Sequence, residues 1–137
     1  MRMKNLVAVY GSLLSGLGNH RVMERARGEL LGTGESVINI DMYSLGGFPS
    51  ISLAHSEHKS TIRVEVYEVD DEGMKPLNML EGYRGEGERN FYNRSLVDIK
   101  LDNGDVVEAF IYHIDEQQST PVVDGDWREY LTKRGRA

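Results

Sequence analysis

The chain has no cysteine and only three prolines, at positions 49, 76 and 121, in 137 residues. The first absence excludes disulfides and thiolate chemistry, and with them the small secreted domains that depend on cross-links. The scattered prolines make no linker, and no repeat or low-complexity tract divides the chain, so residues 1–137 read as one domain. That length lets a single core bury roughly two-thirds of the unfolded surface. Basic charge is scarce as well. Sixteen Lys and Arg stand against 22 Asp and Glu, for a net charge of −6, and acidic clusters lie at Asp70-Asp71-Glu72, Glu86/Glu88 and Asp124/Asp126. With no basic stripe to meet phosphates, the sequence argues against a nucleic-acid partner. No apolar stretch approaches the ~20 residues that span a bilayer, and the apolar run in "MRMKNLVAVYGS" breaks too early for a signal peptide. A soluble, cytoplasmic protein with no membrane partner is the expectation.

Among the features present, "LVAVYGSLLSGLGNH" comes first: a short apolar run enters a loop holding three glycines. Leu6 to Tyr10 suit a buried strand, and Gly11 stops it. A loop at the end of a buried strand offers free backbone N–H groups, the usual means of holding a carboxylate, a phosphate or an oxyanion. The alternative is a plain strand-to-helix turn. No Gly-Lys-Ser/Thr follows, so the loop is not a P-loop, and Gly16-Leu17-Gly18 lacks the third glycine of a dinucleotide site.

Further along, "NHRVMERA" reads as a short helix with Asn19 as N-cap, ended by Gly28. "INIDMYSL" has period-two character, and "GGFPS" closes it as a turn. "STIRVEVYEVD" is the clearest strand and is expected near the centre of a sheet, because β-branched Ile62, Val64, Val66 and Val69 dominate it. In "SLVDIKLDNGDVVEAFIYHID" two extended runs flank Asp102-Asn103-Gly104, a hairpin signal resting on the positive φ angles that Asn-Gly accepts. Trp127, Tyr130 and Leu131 share one face of a C-terminal helix or strap, with Trp127 as its packing anchor. Many strands with two or three short helices suggest a mixed α+β domain, and a β-barrel core is one way to hide the strand edges.

If residues 72–81 are helical, Met74, Leu77 and Glu81 lie on one stripe, and Leu80 borders it. A carboxylate on an apolar face is out of pattern. Burial would raise its pKa toward the range of a general base. Pairing with Arg84 or Arg94 at a frayed helix end would instead make it structural. His55 and His58, three apart with Glu57 between them, lack a third metal ligand and read as a solvated loop. His20 and His113 read as hydrogen-bonded structural residues. Tyr92 and Arg94 read as strand-entry residues, with pocket lining a second reading for Tyr92.

Taken in order, "VYGSLLSGLGNH", "GGFPSI", "VEVYEVDDEGMKPLNMLEGY", "FYNRSLVDI" and "DGDWREY" resemble the gamma-glutamylcyclotransferase-like superfamily, in particular its small gamma-glutamylamine cyclotransferase branch, over nearly the whole chain. The family's strand-end Tyr-Gly-Ser/Thr-Leu is matched by Tyr10, Gly11, Ser12 and Leu13, the asparagine-histidine that follows by Asn19-His20, and its catalytic glutamate by Glu81. The resemblance implies a small β-barrel decorated by short helices, with no metal and no cofactor. It implies a small-molecule gamma-glutamyl substrate, cleaved by attack of its own α-amine to release 5-oxoproline and a free amine. Tyr10, Gly11, Ser12 and Leu13 would bind that substrate. The alternative is a non-catalytic protein that sequesters a small ligand on the same scaffold. The chain departs from the family pattern at Asn78, where aspartate is common. It also carries a longer charged loop, Arg84–Asn90, expected at the pocket entrance. The leaving amine and the oligomeric state are left open.

Overall fold

The computed structural model of the chain describes residues 4–135. Seven strands and three short helices alternate along it. They are β1 (Lys4–Val9), α1 (His20–Arg25), β2 (Glu29–Ser36), β3 (Asp41–Ser44), β4 (Pro49–Ser52), β5 (Arg63–Asp70), α2 (Asp71–Glu81), β6 (Asn93–Leu101), β7 (Val106–His113) and α3 (Trp127–Gly135). Five strands close a barrel in the order β1-β5-β2-β6-β7, while β3 and β4 pair apart from it. The barrel is mixed α+β in class, as expected. Closure comes from a parallel contact of β1 with β7 at Val7 and Phe110, which removes the exposed edges that five open strands would leave.

β5 lies between β1 and β2, antiparallel to both, in keeping with its dense β-branched sequence. The two-residue period of a strand explains how β1 serves two cores. Ala8, and Tyr10 just beyond the strand, join one cluster with Val64, Val66, Ile99 and Ile111. Val7 and Val9 join another with Met23 of α1 and Met74 and Leu77 of α2. Trp127 is buried in the first cluster and stacks on Tyr130 at 5.2 Å, so α3 is anchored as its sequence suggests.

Three local expectations are corrected. Asn19 occupies the N-cap position of α1, but its side chain makes no capping bond; Nδ2 donates instead to Ser12 Oγ at 2.9 Å. α1 ends at Arg25, and the Gly28 N–H closes on Met23 C=O at 3.1 Å. In the β6–β7 turn only Gly104 takes a positive φ, of 97°, because the turn closes from Leu101 C=O to Gly104 N–H and carries an extra residue before β7.

Candidate active site

The strand-end loop and the end of α2 meet at one cavity of about 280 Å³, lined by Tyr10, Gly11, Ser12, Leu13 and Glu81 together with Phe48, Pro49, Leu80, Phe91, Tyr92 and Tyr112. The five residues singled out from the sequence are thus neighbours in space, although Glu81 lies 68 to 71 positions along the chain from the Tyr10–Leu13 loop.

The loop is folded on itself. Leu14 N–H donates to Gly11 C=O at 2.9 Å, Asn19 N–H to Ser12 C=O at 2.9 Å, and His20 Nδ1 lies 2.9 Å from Leu13 C=O. These bonds engage carbonyls. The N–H groups of Gly11, Ser12 and Leu13 have no acceptor among the described residues. Gly11 is required sterically, since a Cβ there would stand 2.6 Å from Pro49 Cγ. The back of the loop is held by Glu65 of β5, which is buried. Its carboxylate accepts from Ser15 N–H at 2.8 Å, Ser15 Oγ at 2.7 Å and Tyr67 Oη at 2.9 Å, with Arg128 Nη2 at 3.4 Å. Burial works to raise the pKa of Glu65, but these hydrogen bonds and the guanidinium outweigh it and hold the group below the ordinary value.

Glu81 arrives by a helix with defined ends. Asp70 caps α2 by accepting from Gly73 N–H at 2.8 Å, and Gly82 ends it in the left-handed region at φ 66°. Tyr92 N–H then donates to Glu81 C=O at 3.1 Å and Phe91 N–H to Gly82 C=O at 2.9 Å, which ties the next segment to the helix end. The Glu81 side chain keeps some contact with solvent through the cavity yet lies deep among protein atoms, and that desolvation raises its pKa to about 7. No hydrogen bond or ion pair to its carboxylate is made among the described residues. Arg94, one of the partners considered from the sequence, lies over the rings of Tyr83 and Phe110 at 4.6 and 4.4 Å and donates to Asn78 Oδ1 at 3.3 Å.

Three tyrosines complete the walls. Tyr10 donates to Tyr112 C=O at 2.7 Å, Tyr92 to Pro49 C=O at 2.6 Å, and Tyr112 to Asn78 Oδ1 at 2.7 Å. Burial and the nearby Glu81 charge raise the pKa of all three, so they remain neutral donors. Glu81 is the cavity's one lining group poised to exchange a proton near neutral pH.

The remaining candidates fall elsewhere. His113 is held between Ser95 Oγ at 2.8 Å and Asp115 Oδ1 at 2.7 Å. His58 lies against buried Asp41, which accepts from the backbone N–H groups of residues 57 and 58, so this segment is a braced turn and not a freely solvated loop. Among the described residues, no three His, Cys, Asp or Glu side chains form a possible metal site. The charged loop Arg84–Asn90 does not line the cavity; Phe91, directly after it, does. Phe48, Phe91 and Tyr112 were missed. Only the apolar character of Phe48 in its exposed turn and of Phe91 beside the charged loop hinted at them.

A closed barrel whose strand-end loop and helix-end carboxyl share one cleft marks a class of small α+β proteins, and comparison with known proteins identifies it. The family model "Gamma-glutamyl cyclotransferase, AIG2-like" matches residues 7–129, and the chain belongs to that family. It is 34% identical over 124 residues to a Methanocaldococcus jannaschii protein named "Putative gamma-glutamylcyclotransferase", covering 90% of this chain and 96% of that one. It is 30% identical to the gamma-L-glutamyl-butirosin B gamma-glutamyl cyclotransferase of Niallia circulans, over 89% of this chain and 74% of that one. In fold it is similar to an AIG2-like protein from Mus musculus, with a TM-score of 0.68, 23% identity and coverage of 83% and 80% of the two chains. Among the described residues, no helix is long and apolar enough to cross a membrane.

Proposed function

We propose that the chain is a cyclotransferase that cleaves a gamma-glutamyl amide by attack of the substrate's own α-amine, releasing 5-oxoproline and a free amine. The observation that carries this reading is Glu81: a carboxyl raised to about 7, without a partner among the described residues, in a cavity also lined by Gly11, Ser12 and Leu13, whose N–H groups have no acceptor among the described residues.

In this reaction the α-nitrogen bonds to the γ-carbonyl carbon, the C–N bond to the leaving amine breaks, and a five-membered lactam remains. Ring closure is intramolecular, so the protein's task is to fold the substrate into the attacking geometry and to move protons. Glu81 takes a proton from the α-ammonium, freeing the lone pair, and returns it to the departing nitrogen. A pKa near 7 lets one group do both at neutral pH. The loop N–H groups receive the substrate carboxylate or the oxyanion of the tetrahedral intermediate. Removing one such donor typically costs a few kcal/mol of transition-state stabilisation.

The substrate class favoured here is gamma-glutamyl-linked amines over intact glutathione. Incubating the purified chain with a panel of gamma-glutamyl amides and assaying 5-oxoproline tests both points. Release from at least one amide supports the reaction. Cleavage of glutathione alone would overturn the substrate class while leaving the reaction, and tight binding with no 5-oxoproline from any member would identify a sequestering protein.

A further inference from the structure

The cavity lining is divided. Ala8, Val9, Tyr10, Leu13, Tyr92 and Tyr112 form a buried interior, whereas Phe48, Leu80 and Phe91 form a rim exposed to 38, 39 and 59%. We propose that this rim is a leaving-group subsite that selects uncharged, apolar amines, a specificity that rests on the cyclotransferase reading above.

The glutamyl end of any substrate carries a carboxylate and an ammonium. In the reading above they are met by the loop N–H groups and by Glu81, on residues that line the cavity apart from the three rim side chains. What lies beyond the scissile nitrogen is therefore left to the rim. Two separate segments build it. Phe48 sits on the β3–β4 turn, fixed by Leu45 N–H on its C=O at 2.8 Å, and Phe91 follows α2, fixed by its N–H on Gly82 C=O. Their rings stand 6.3 Å apart, centroid to centroid, tilted by 58°, and Phe91 packs edge-on to Tyr92 at 5.2 Å. Large apolar side chains clustered in solvent at a cavity mouth gain by covering with an apolar group.

Charge completes the argument. No lysine, arginine or histidine lines the cavity, and its one carboxylate is Glu81. A leaving amine that bears its own carboxylate, as every amino acid does, meets no cation here and is repelled by ionised Glu81. A leaving amine with a second ammonium gives up hydration against two phenyl rings and a leucine, and a cation–π contact at an exposed site returns only part of it.

Matched substrates test the subsite on the intact chain, with 5-oxoproline release giving kcat/KM. Gamma-glutamyl phenethylamide and gamma-glutamyl-phenylalanine differ by one carboxylate; the butylamide and the 4-aminobutylamide differ by a terminal ammonium; the methylamide lacks a tail. The expected order puts phenethylamide at least tenfold above both gamma-glutamyl-phenylalanine and the methylamide, and butylamide several-fold above its amino analogue. Phe91→Ser, at an exposed position, should reduce the phenethyl-to-methyl ratio at least threefold, with thermal unfolding showing that the variant is folded. Equal or faster turnover of the carboxylate or ammonium partner overturns the proposal, as does a ratio unmoved by both Phe91→Ser and Phe48→Ser. Absence of 5-oxoproline from every substrate would overturn the cyclotransferase reading itself, and the subsite with it.

Discussion

Replacing Glu81 with glutamine keeps the shape of the side chain while removing its proton exchange, and the structure fixes what this should do to stability as well as to rate. The carboxyl has an ordinary pKa of 4.5 and is raised to about 7 by desolvation. Below pH 4.5 it is protonated in both folded and unfolded chains, and burial costs little. Between the two values the folded chain binds more protons than the unfolded one, so stability falls as pH rises. Above pH 7 the group is ionised in both states and the full penalty applies, at most about 3 kcal/mol from the size of the shift. Glutamine carries no such penalty, although its amide must be accommodated, a pH-independent cost of about 1 kcal/mol. A domain of this length gains roughly 3–4 °C in Tm per kcal/mol. The variant should therefore match or slightly trail the parent near pH 4.5 and exceed it by several degrees, up to about 10 °C, at pH 8. Its 5-oxoproline release should fall about a hundredfold or more. Sites that trade stability for function commonly behave this way. Thermal melts from pH 4.5 to 8 and turnover on the same sample provide the check. A variant that stays active and melts below the parent at pH 8 would refute the reasoning, because that is how a structural, compensated carboxylate behaves.

Two further outcomes follow from the loop. Gly11→Ala drives a methyl group into the Pro49 ring, at 2.6 Å before relaxation, so it should cost about 1–3 kcal/mol and lower kcat at least tenfold by displacing the N–H groups; unchanged kcat would separate the loop from the chemistry. Glu65→Ala leaves the Ser15 N–H and Tyr67 hydroxyl without their acceptor, which should cost about 2–3 kcal/mol at pH 7 by urea unfolding. Because the Glu65 pKa is held below 4.5, its stabilisation is complete above that value and is lost as pH falls through the folded value, so the gap between parent and variant should close in acid. A gap independent of pH would show that the carboxylate's charge is not what holds the loop.

Much of the local structure could be read from the chain. β5 declares itself by β-branched residues, and the β6–β7 hairpin by Asn103-Gly104. The helix ending at Glu81 is marked by the spacing of Met74, Leu77 and Glu81, all signals that act over a few residues. The out-of-pattern carboxylate on that stripe and the glycine break after Tyr10 were visible for the same reason. The order of motifs then pointed to the family. Asn19 misled because its pattern fits a cap, whereas a longer-range partner, Ser12 Oγ, takes the side chain.

What the sequence by itself determined is thus the clearest elements, β5, the β6–β7 hairpin and α2, and the two halves of the candidate site. Only the tertiary structure decided that those halves face one another, since Tyr10 bonds to Tyr112 across 102 residues and Tyr92 to Pro49 across 43, and such separations carry no periodic signal. It also decided the fate of Glu65. Strand alternation turns that residue away from Val64 and Val66, as its polarity suggests, but the side it turns to is covered by the loop at Ser15 and by Arg128 of α3. Burial is a property of what the closed barrel brings alongside a residue, and a strand's own sequence specifies only which way the residue points.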